Sequence, residues 1–328
     1  MLNSFRPLFA AVCAAALIGA IAPAIGADDP AAKPADSKAA PAPAKAAEPK
    51  AAEKKPAEAK SAAEMAPAAE SGGHGGPAPE RQSWSFAGPF GKFDQGQLQR
   101  GFKVYREVCA TCHSLSSVAF RNLEAEDGPG FSEAQVKALA AEYQVPDDPD
   151  ASGKVKERAA RPSDYFPKVV YPGAGVPPDM SVLAKARSYS RGFPMFLLDA
   201  VIQYQEHGPD YIYALLNGYR EPPEDMKKDM GDTYYNLFMP GHKIAMAPPL
   251  DLIFDKDSKP NEANFYTDGT PITKDQVSKD VVSFLMWAAE PKLTERKETG
   301  FKVMAFLLLL AGLLYFTKKK IWADVGAH

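Results

Sequence analysis

The sequence predicts a mainly α-helical domain with long proline-rich loops, followed by one C-terminal helix that spans a membrane. Three observations lead to this fold class. Leu98, Phe102 and Tyr105 recur at helical spacing after Asp94, a residue type that often caps helices. Thirty prolines are distributed among the 328 residues. The apolar segment 301–317 is followed directly by three lysines.

The N-terminus has the features of a secretory signal peptide, which we expect at residues 1–27. Arg6 supplies the positive charge, and residues 8–25 are apolar. Ile25 and Ala27 suit the −3 and −1 positions of a cleavage site. A retained membrane anchor is the alternative, and in both cases most of the chain is exported.

Residues 28–80 are rich in Ala, Pro, Lys and Glu, which predicts a disordered tether. Its large apolar residues are too few to offset the conformational entropy lost on folding. Its acids and bases nearly balance, so we do not expect an electrostatic tail. His74 lies near its glycine-rich end, where we expect a linker residue rather than a metal ligand.

We expect the exported domain at residues 81–297, a transmembrane helix at 298–320 and a short tail at 321–328. The uncharged core of the helix is shorter than the roughly 20 residues that cross a bilayer, but flanking lysine side chains can extend to the interface. The positive-inside rule puts Lys318–Lys320 in the cytoplasm. The sequence therefore predicts a single-pass protein of the cell inner membrane, with its domain in the periplasm and its C-terminus in the cytoplasm.

Composition and charge exclude two classes of protein. A formal net charge of −3 argues against nucleic-acid binding. Three cysteines, one of them Cys13 in the signal peptide, cannot form a disulfide scaffold. Cys109 and Cys112 are left for other chemistry.

Residues 109–113 read Cys-Ala-Thr-Cys-His, the pattern of covalent c-type haem attachment. Two thiols three positions apart can each add to a vinyl group of one porphyrin, and the imidazole of His113 then points at the iron. A redox C-x-x-C motif is typical of a βαβ pattern, which this sequence lacks. A zinc site needs a second pair of ligands. The motif therefore predicts one covalently bound haem c per chain, in a cytochrome-c-like domain.

An electron-transfer haem needs a second axial ligand, either His or Met, and Met raises the reduction potential. The candidates in the domain are His207, His242, Met180, Met195, Met226, Met230, Met239, Met246 and Met286. A weak thioether bond benefits from a loop that proline stiffens. This argument favours Met239 and Met246 about equally.

From Trp84 to about Trp322 the sequence resembles the bacterial type of the cytochrome c1 family. Members of this family are the haem subunit of quinol–cytochrome c reductase, the cytochrome bc1 complex. The most specific motifs are Met-Ala-Pro-Pro-Leu at 246–250 and Phe-Leu-Met-Trp-Ala-Ala-Glu-Pro at 284–291, before a C-terminal anchor.

The resemblance implies roles for five further residues. Met246 would be the second axial ligand, and Arg187 would pair with a haem propionate. Pro177 and Pro178 would pack on the haem, and Tyr211 would lie close to it.

The sequence departs from the family pattern at two places. Residues 171–175 read Tyr-Pro-Gly-Ala-Gly and lack an expected Asn-Gly pair, and residues 188–208 look like an insertion of the bacterial kind.

The resemblance also implies a function. The isolated chain would not be an enzyme but a redox subunit that binds no quinone. It would pass electrons from a Rieske iron–sulfur protein to a soluble or membrane-bound c-type cytochrome, and so contribute to a respiratory or photosynthetic proton-motive force. It would act beside cytochrome b in a dimeric complex surrounded by membrane lipid. Acidic stretches at 124–127, 147–150 and 221–225 are candidates for steering the acceptor.

Three other functions remain open from the residues alone. One is a membrane-tethered monohaem cytochrome c that serves a terminal oxidase. The second is a haem enzyme with an exchangeable sixth position. The third is a non-redox interaction protein, for which the Cys motif would have no purpose.

Overall fold

The computed structural model describes residues 76–149, 153–173, 175–189, 192–202, 204–262 and 265–323, with the backbone alone for 200–202. The predicted signal peptide, the tether before Gly76 including His74, and the tail after Ala323 lie outside the described residues.

The described residues are mainly α-helical, as predicted, and also contain two small antiparallel sheets that the sequence did not predict. The helices are α1 (Gln95–Val104), α2 (Glu133–Ala141), α3 (Leu183–Ala186), α4 (Met195–Ile202), α5 (His207–Asn217), α6 (Lys274–Ala289) and α7 (Leu293–Ile321). In the sheets, β1 (Gln144–Pro146) pairs with β2 (Glu157–Ala159), and β3 (Tyr234–Tyr235) pairs with β4 (Lys243–Ile244).

Asp94 caps α1, as the sequence predicted. Its carboxylate accepts a hydrogen bond from the backbone N–H of Gln97 at 2.6 Å. Leu98 and Phe102 are buried on one face of the helix, and Tyr105 is buried just after its end. Local sequence therefore determines both where α1 begins and which face it buries.

After α1 the chain continues into a π-helical turn, Tyr105–Cys109, which we did not predict. A π turn holds one more residue than an α turn, so it rotates the residues that follow relative to the helix before it. Such turns occur frequently at functional sites. This one ends on the first cysteine of the haem-attachment motif.

The centre of the core is the contact between α1 and α6. The two backbones approach closely at Gly101, where a Cβ atom would lie 2.1 Å from the carbonyl oxygen of Asp280. Thr273 caps α6 by accepting a hydrogen bond from the backbone N–H of Gln276 at 3.1 Å. Most of α6 is buried, including Trp287 at 0% exposure. The Phe-Leu-Met-Trp-Ala-Ala motif is thus part of the core.

A buried ion pair crosses the same contact. Nε of Arg100 donates a hydrogen bond to the carboxylate of Asp280 at 2.9 Å, and Nη1 donates to Asp268 at 2.7 Å. Gln276 donates a further hydrogen bond to Asp280 at 2.7 Å. Because Asp280 is 0% exposed, these partners replace the water that its charge would otherwise need.

The segment before α1 is held on α5. The indole N–H of Trp84 donates to Asp210 at 2.9 Å, and the backbone N–H of Gln82 donates to the same carboxylate at 3.0 Å. Arg81 forms a salt bridge with Asp199 at 2.5 Å. These contacts join the beginning of the domain to the region of the predicted insertion at 188–208.

Helix α7 starts inside the domain and continues without a break into its apolar segment. Leu293 and Thr294 are buried, whereas the large apolar side chains from Phe301 onward are exposed. Its most apolar window has a mean hydropathy of 1.9, and none of that window is buried within the protein. This helix fits the predicted single transmembrane helix. Its first turns belong to the domain, so no loop separates domain and anchor.

Candidate functional site

The haem-attachment motif forms a tight turn at the end of the π turn. The backbone N–H groups of Cys112 and His113 donate to the carbonyl oxygen of Cys109 at 3.1 and 2.9 Å. Both thiols are free and partly buried, and Cys109 packs against the core. The structure therefore brings two thiols and one imidazole together on a single turn.

The imidazole of His113 is buried, and its Nδ1 lies 2.9 Å from the carbonyl oxygen of Pro178. A carbonyl oxygen can only accept a hydrogen bond, so Nδ1 is the donor, and in the neutral ring Nε2 is then the nitrogen with the lone pair. A neutral ring with a free Nε2 is what a metal ion binds, and the bond to Pro178 orients it. The hydroxyl of Tyr105 also donates to the backbone carbonyl of His113 at 3.1 Å.

Asp179 and Ser181, which follow Pro178, accept hydrogen bonds from the residues just after the Cys motif. Ser116 donates its backbone N–H and its hydroxyl to the carboxylate of Asp179 at 3.0 and 2.6 Å. The next backbone N–H donates to the hydroxyl of Ser181 at 2.9 Å. Burial alone would raise the pKa of Asp179, but hydrogen bonds from Ser116 and Ser181 outweigh it and hold that pKa below its ordinary value. The carbonyl that orients His113 is therefore held by a charged hydrogen-bond network.

Met246 is partly buried in a loop that lies beside the motif. The hydroxyl of Tyr219 donates to its backbone carbonyl at 3.1 Å. The 3₁₀ turn that follows, Pro249–Leu252, packs against the π turn Tyr105–Cys109. The structure thus brings the Met246 loop to the helical turn that carries the first cysteine.

Met239 is also partly buried but belongs to a separate local arrangement. It precedes the 3₁₀ turn Pro240–His242, and its carbonyl accepts a hydrogen bond from the backbone N–H of His242 at 2.8 Å. The ring of His242 stacks on Tyr235, and its Nδ1 lies 3.3 Å from the carbonyl oxygen of Asn236. These contacts stabilise the loop itself.

Three other candidate ligands are held by contacts of their own; the backbone N–H of Met180, for example, donates to the carbonyl oxygen of Ser114, just after the motif, at 2.8 Å. Nε2 of His207 lies 3.3 Å from the carboxylate of Asp199. Met180 and Met286 are buried in the hydrophobic core. Met246 is favoured because it is only partly buried and because the turn after its loop packs against Tyr105–Cys109, whereas Met180 and Met286 are core residues and Met239 belongs to another loop.

Arg187 and Tyr211 lie close enough to interact. Arg187 is exposed just after α3, and Tyr211 is partly buried in α5, a helix that α3 contacts. Burial raises the pKa of Tyr211 above its ordinary value, and the guanidinium of Arg187 acts in the opposite direction because it favours the phenolate. An exposed guanidinium beside an aromatic ring can bind a carboxylate at the edge of a cofactor.

The loop that carries Pro177 and Pro178 presents apolar side chains to the solvent. Val170 is 90% exposed and Val176 is 94% exposed. Pro177 is partly buried and Pro178 is exposed, although the carbonyl of Pro178 binds His113. Exposed apolar side chains on the loop that orients the imidazole are suited to the face of a porphyrin.

The donor set fits a thioether-linked haem better than a zinc site or a redox dithiol. Among the side chains that the structure describes, no group of three or more His, Cys, Asp or Glu residues is arranged to hold a metal ion. Burial, with a smaller contribution from Cys112, raises the pKa of Cys109 to about 12. A redox-active thiol has a lowered pKa instead.

Several supporting residues were missed by the sequence analysis. Tyr105 was noted only as part of a helical pattern, and Pro178 only as a packing residue for the haem. Tyr219 and Asp179 were given no role. Both stand within segments that carry the family resemblance, which was the one signal available for them.

Comparison with known proteins identifies the family of the chain. The sequence pattern of the Cytochrome C1 family matches residues 84–325. The chain is 45% identical to the cytochrome c1 of Blastochloris viridis, over 80% of this chain and 92% of that protein. It is 41% identical to the cytochrome c1 of Rhodospirillum rubrum, over 76% of this chain and 90% of that protein.

A longer relative is the cytochrome b/c1 of Bradyrhizobium diazoefficiens, which is 51% identical over 76% of this chain. The match spans 36% of that protein, about a third of its length. The region that matches the family pattern, residues 84–325, contains the Cys motif, the Met246 loop and α7. The chain therefore belongs to the cytochrome c1 family, whose members carry one covalently bound c-type haem.

Proposed function

We propose that the chain is the haem-bearing electron-transfer subunit of a cytochrome bc1 complex. In this proposal Cys109 and Cys112 attach the haem, and His113 and Met246 are the ligands of its iron. The observation that carries the proposal is the hydrogen bond between Nδ1 of His113 and the carbonyl of Pro178, at 2.9 Å. It leaves Nε2 as the metal-binding atom on the turn that holds both thiols.

The haem, when bound, supplies one iron that gains or loses a single electron. His113 binds through a ring whose orientation Pro178 determines. Met246 binds from a loop that Pro248 and Pro249 stiffen and that Tyr219 holds at the backbone. Two protein ligands on a fixed frame leave no coordination position for a substrate, so the isolated chain transfers electrons and is not itself an enzyme.

Arg187, Pro177 and Tyr211 have supporting roles in this proposal. Arg187, which is exposed, would bind a propionate of the haem through a charge-assisted hydrogen bond. Pro177 and Tyr211 contribute apolar contacts beside the ring. Because Arg187 is exposed, this part of the site would be accessible to a partner protein.

We propose a Rieske iron–sulfur protein as the electron donor and a c-type cytochrome as the acceptor, in a dimeric complex with cytochrome b. Among the three acidic stretches, residues 221–225 are favoured for docking the acceptor. Glu221, Glu224 and Asp225 are exposed, and the stretch begins two residues after Tyr219, the residue that holds Met246. Acidic side chains near the haem would steer a basic partner.

The docking proposal is tested by neutralising acidic side chains. The double variant Glu224→Gln/Asp225→Asn should slow reduction of a basic cytochrome c at low salt and weaken its dependence on ionic strength. The matched control Glu126→Gln/Asp127→Asn, in another acidic stretch, should leave both unchanged. If the unaltered protein reduced cytochrome c at a rate that did not depend on ionic strength, electrostatic steering would be contradicted.

Membrane topology follows from α7 and its lysines. We propose a cleaved signal at 1–27, a tether at 28–80, a periplasmic haem domain, and a cytoplasmic end after α7. Protease added to intact spheroplasts should remove the haem domain and leave the C-terminal end protected. The reverse pattern would contradict this topology.

The axial ligand is tested with Met246→Leu and its matched control Met239→Leu in membranes that contain the complex. Only Met246→Leu should lower the midpoint potential and allow carbon monoxide to bind the reduced haem. If Met239→Leu has this effect instead, the ligand assignment is wrong. Co-purification with a b-type cytochrome distinguishes the proposed complex from a tethered cytochrome that serves a terminal oxidase.

A further inference from the structure

A groove lies between the loop before α1 and the first turns of α7, on the side of the domain that faces the membrane anchor. Its lining includes Phe90, Lys92, Lys297, Glu298, Phe301 and Lys302. The groove is outside the haem site and uses none of the residues proposed for electron transfer.

Two polar contacts and one aromatic contact hold this loop on α7. Nζ of Lys92 donates to the carboxylate of Glu298 at 2.6 Å. Nζ of Lys297 donates to a backbone carbonyl of the loop at 2.5 Å. The rings of Phe90 and Phe301 meet edge to face with their centroids 5.8 Å apart. The groove therefore has one wall on the loop and one wall on the helix.

The groove lies at the level where α7 becomes apolar on all sides. Phe301 is the first of the large exposed apolar side chains of the anchor. Phe90 contacts it and is itself 74% exposed. Aromatic side chains at this level of a transmembrane helix occupy the interface between headgroups and acyl chains.

The charges of the groove suit an anionic group. Three lysines, Lys92, Lys297 and Lys302, line it together with one carboxylate, that of Glu298. Lys302 forms no hydrogen bond or salt bridge with the part of the chain that the structure describes. A phosphate placed between Lys302 and Lys92 would gain charge-assisted hydrogen bonds.

We propose that this groove binds a phospholipid of the leaflet on the domain side, with its phosphate on Lys302 and Lys92 and an acyl chain along Phe90 and Phe301. The proposal rests on the membrane anchoring by α7. Apolar walls beside Lys302 and the Lys92–Glu298 pair, with lysines outnumbering carboxylates, match the two parts of such a molecule. The bound lipid would give the domain a second contact with the membrane, next to its anchor.

The test replaces Phe90 with photoreactive benzoylphenylalanine in the full-length chain, within native membranes. After irradiation, mass spectrometry of the peptide that contains position 90 should detect a phospholipid adduct. The same label at Phe196, an exposed aromatic residue of α4, provides the comparison position. The adduct should be absent there.

Lys302→Gln should reduce the adduct at position 90 severalfold, whereas Lys319→Gln, at the opposite end of α7, should not. An adduct with another protein would mean that a neighbouring subunit covers the groove. The absence of any adduct would mean that water fills it. Either result overturns the proposal. An adduct that Lys302→Gln leaves unchanged also overturns the phosphate site. The readout does not depend on haem, so its failure is distinct from failure of the electron-transfer proposal.

Discussion

The hydroxyl of Tyr219 donates a hydrogen bond to the backbone carbonyl of Met246 at 3.1 Å. Burial raises the pKa of Tyr219 above its ordinary value, so the hydroxyl keeps its proton at physiological pH. The bond ties the loop of the proposed axial ligand to the second residue after α5. A thioether is a weak ligand, so the position of its loop contributes directly to ligation.

We predict that Tyr219→Phe weakens ligation by Met246 without abolishing it. Loss of one neutral hydrogen bond costs about 1 kcal/mol, which corresponds to a roughly fivefold rise in the fraction of haem with an open sixth position. Carbon monoxide binding to the reduced protein measures this fraction. Tyr234→Phe is the matched control, because the Tyr234 hydroxyl forms no hydrogen bond within the described residues. Equal carbon monoxide binding in both variants would contradict the role of Tyr219.

Asp179 gives the site a predicted pH dependence. Its pKa is lower in the folded protein than its ordinary value of 3.8, because hydrogen bonds to the carboxylate outweigh its burial. A group with a lowered folded pKa stabilises the fold above its ordinary pKa, and this contribution is lost as the pH falls through the folded value. Acid should therefore weaken the network that supports Pro178 and His113.

Asp179→Asn should reduce the free energy of unfolding by about 1 kcal/mol at neutral pH. This is a small value for hydrogen bonds to a charged group, because the site is partly exposed to solvent. The difference from the unaltered protein should shrink as the pH falls below 3.8. Denaturant titrations at a series of pH values, followed by haem absorbance, measure it. Asp127→Asn, an exposed control, should show neither effect. A difference that stays constant with pH would show that the charge of Asp179 is not responsible.

The features that the sequence predicted correctly are determined by residues close together in the chain. Asp94 caps a helix through a residue three positions away, and Leu98 and Phe102 share a face because of helical spacing. The apolar length of α7 is likewise readable from consecutive residues. Such patterns are local, so a single sequence contains them.

The contacts that organise the site join distant parts of the chain. His113 and Pro178 are 65 positions apart, and Tyr219 and Met246 are 27 apart. Both bonds end on a backbone carbonyl, which every residue type has, so no residue pattern indicates them. The π turn at Tyr105–Cys109 was not predictable for the same reason, since it depends on how the helix meets the rest of the fold.

Arg100 and Asp280 provide a prediction about the core. Arg100→Met would leave the fully buried carboxylate of Asp280 without its cation, and breaking such a pair costs about 3–5 kcal/mol. The double variant Arg100→Met/Asp280→Asn removes both charges and should recover part of that loss. Denaturant unfolding of the unaltered protein, the single variants Arg100→Met and Asp280→Asn, and the double variant measures the coupling. If the double variant lost as much free energy of unfolding as the two single variants together, the unpaired buried charge would not be the cause.

Gly101 provides the last prediction, on the close approach of α1 and α6. A Cβ atom at this position would lie 2.1 Å from the carbonyl oxygen of Asp280 and 2.7 Å from Cβ of Phe284. Gly101→Ala should therefore force the helices apart and destabilise the domain by about 1–3 kcal/mol, despite the better helix propensity of alanine.

Gly96 is the matched control in the same helix. A Cβ atom there would meet its nearest neighbours at 3.6 Å, an ordinary contact. Gly96→Ala should be neutral or stabilise the domain by up to about 1 kcal/mol, because alanine loses less backbone entropy. Thermal unfolding of the haem-loaded protein compares the two variants. Opposite signs are expected because only Gly101 faces the backbone of α6, and equal melting temperatures would contradict the close helix contact.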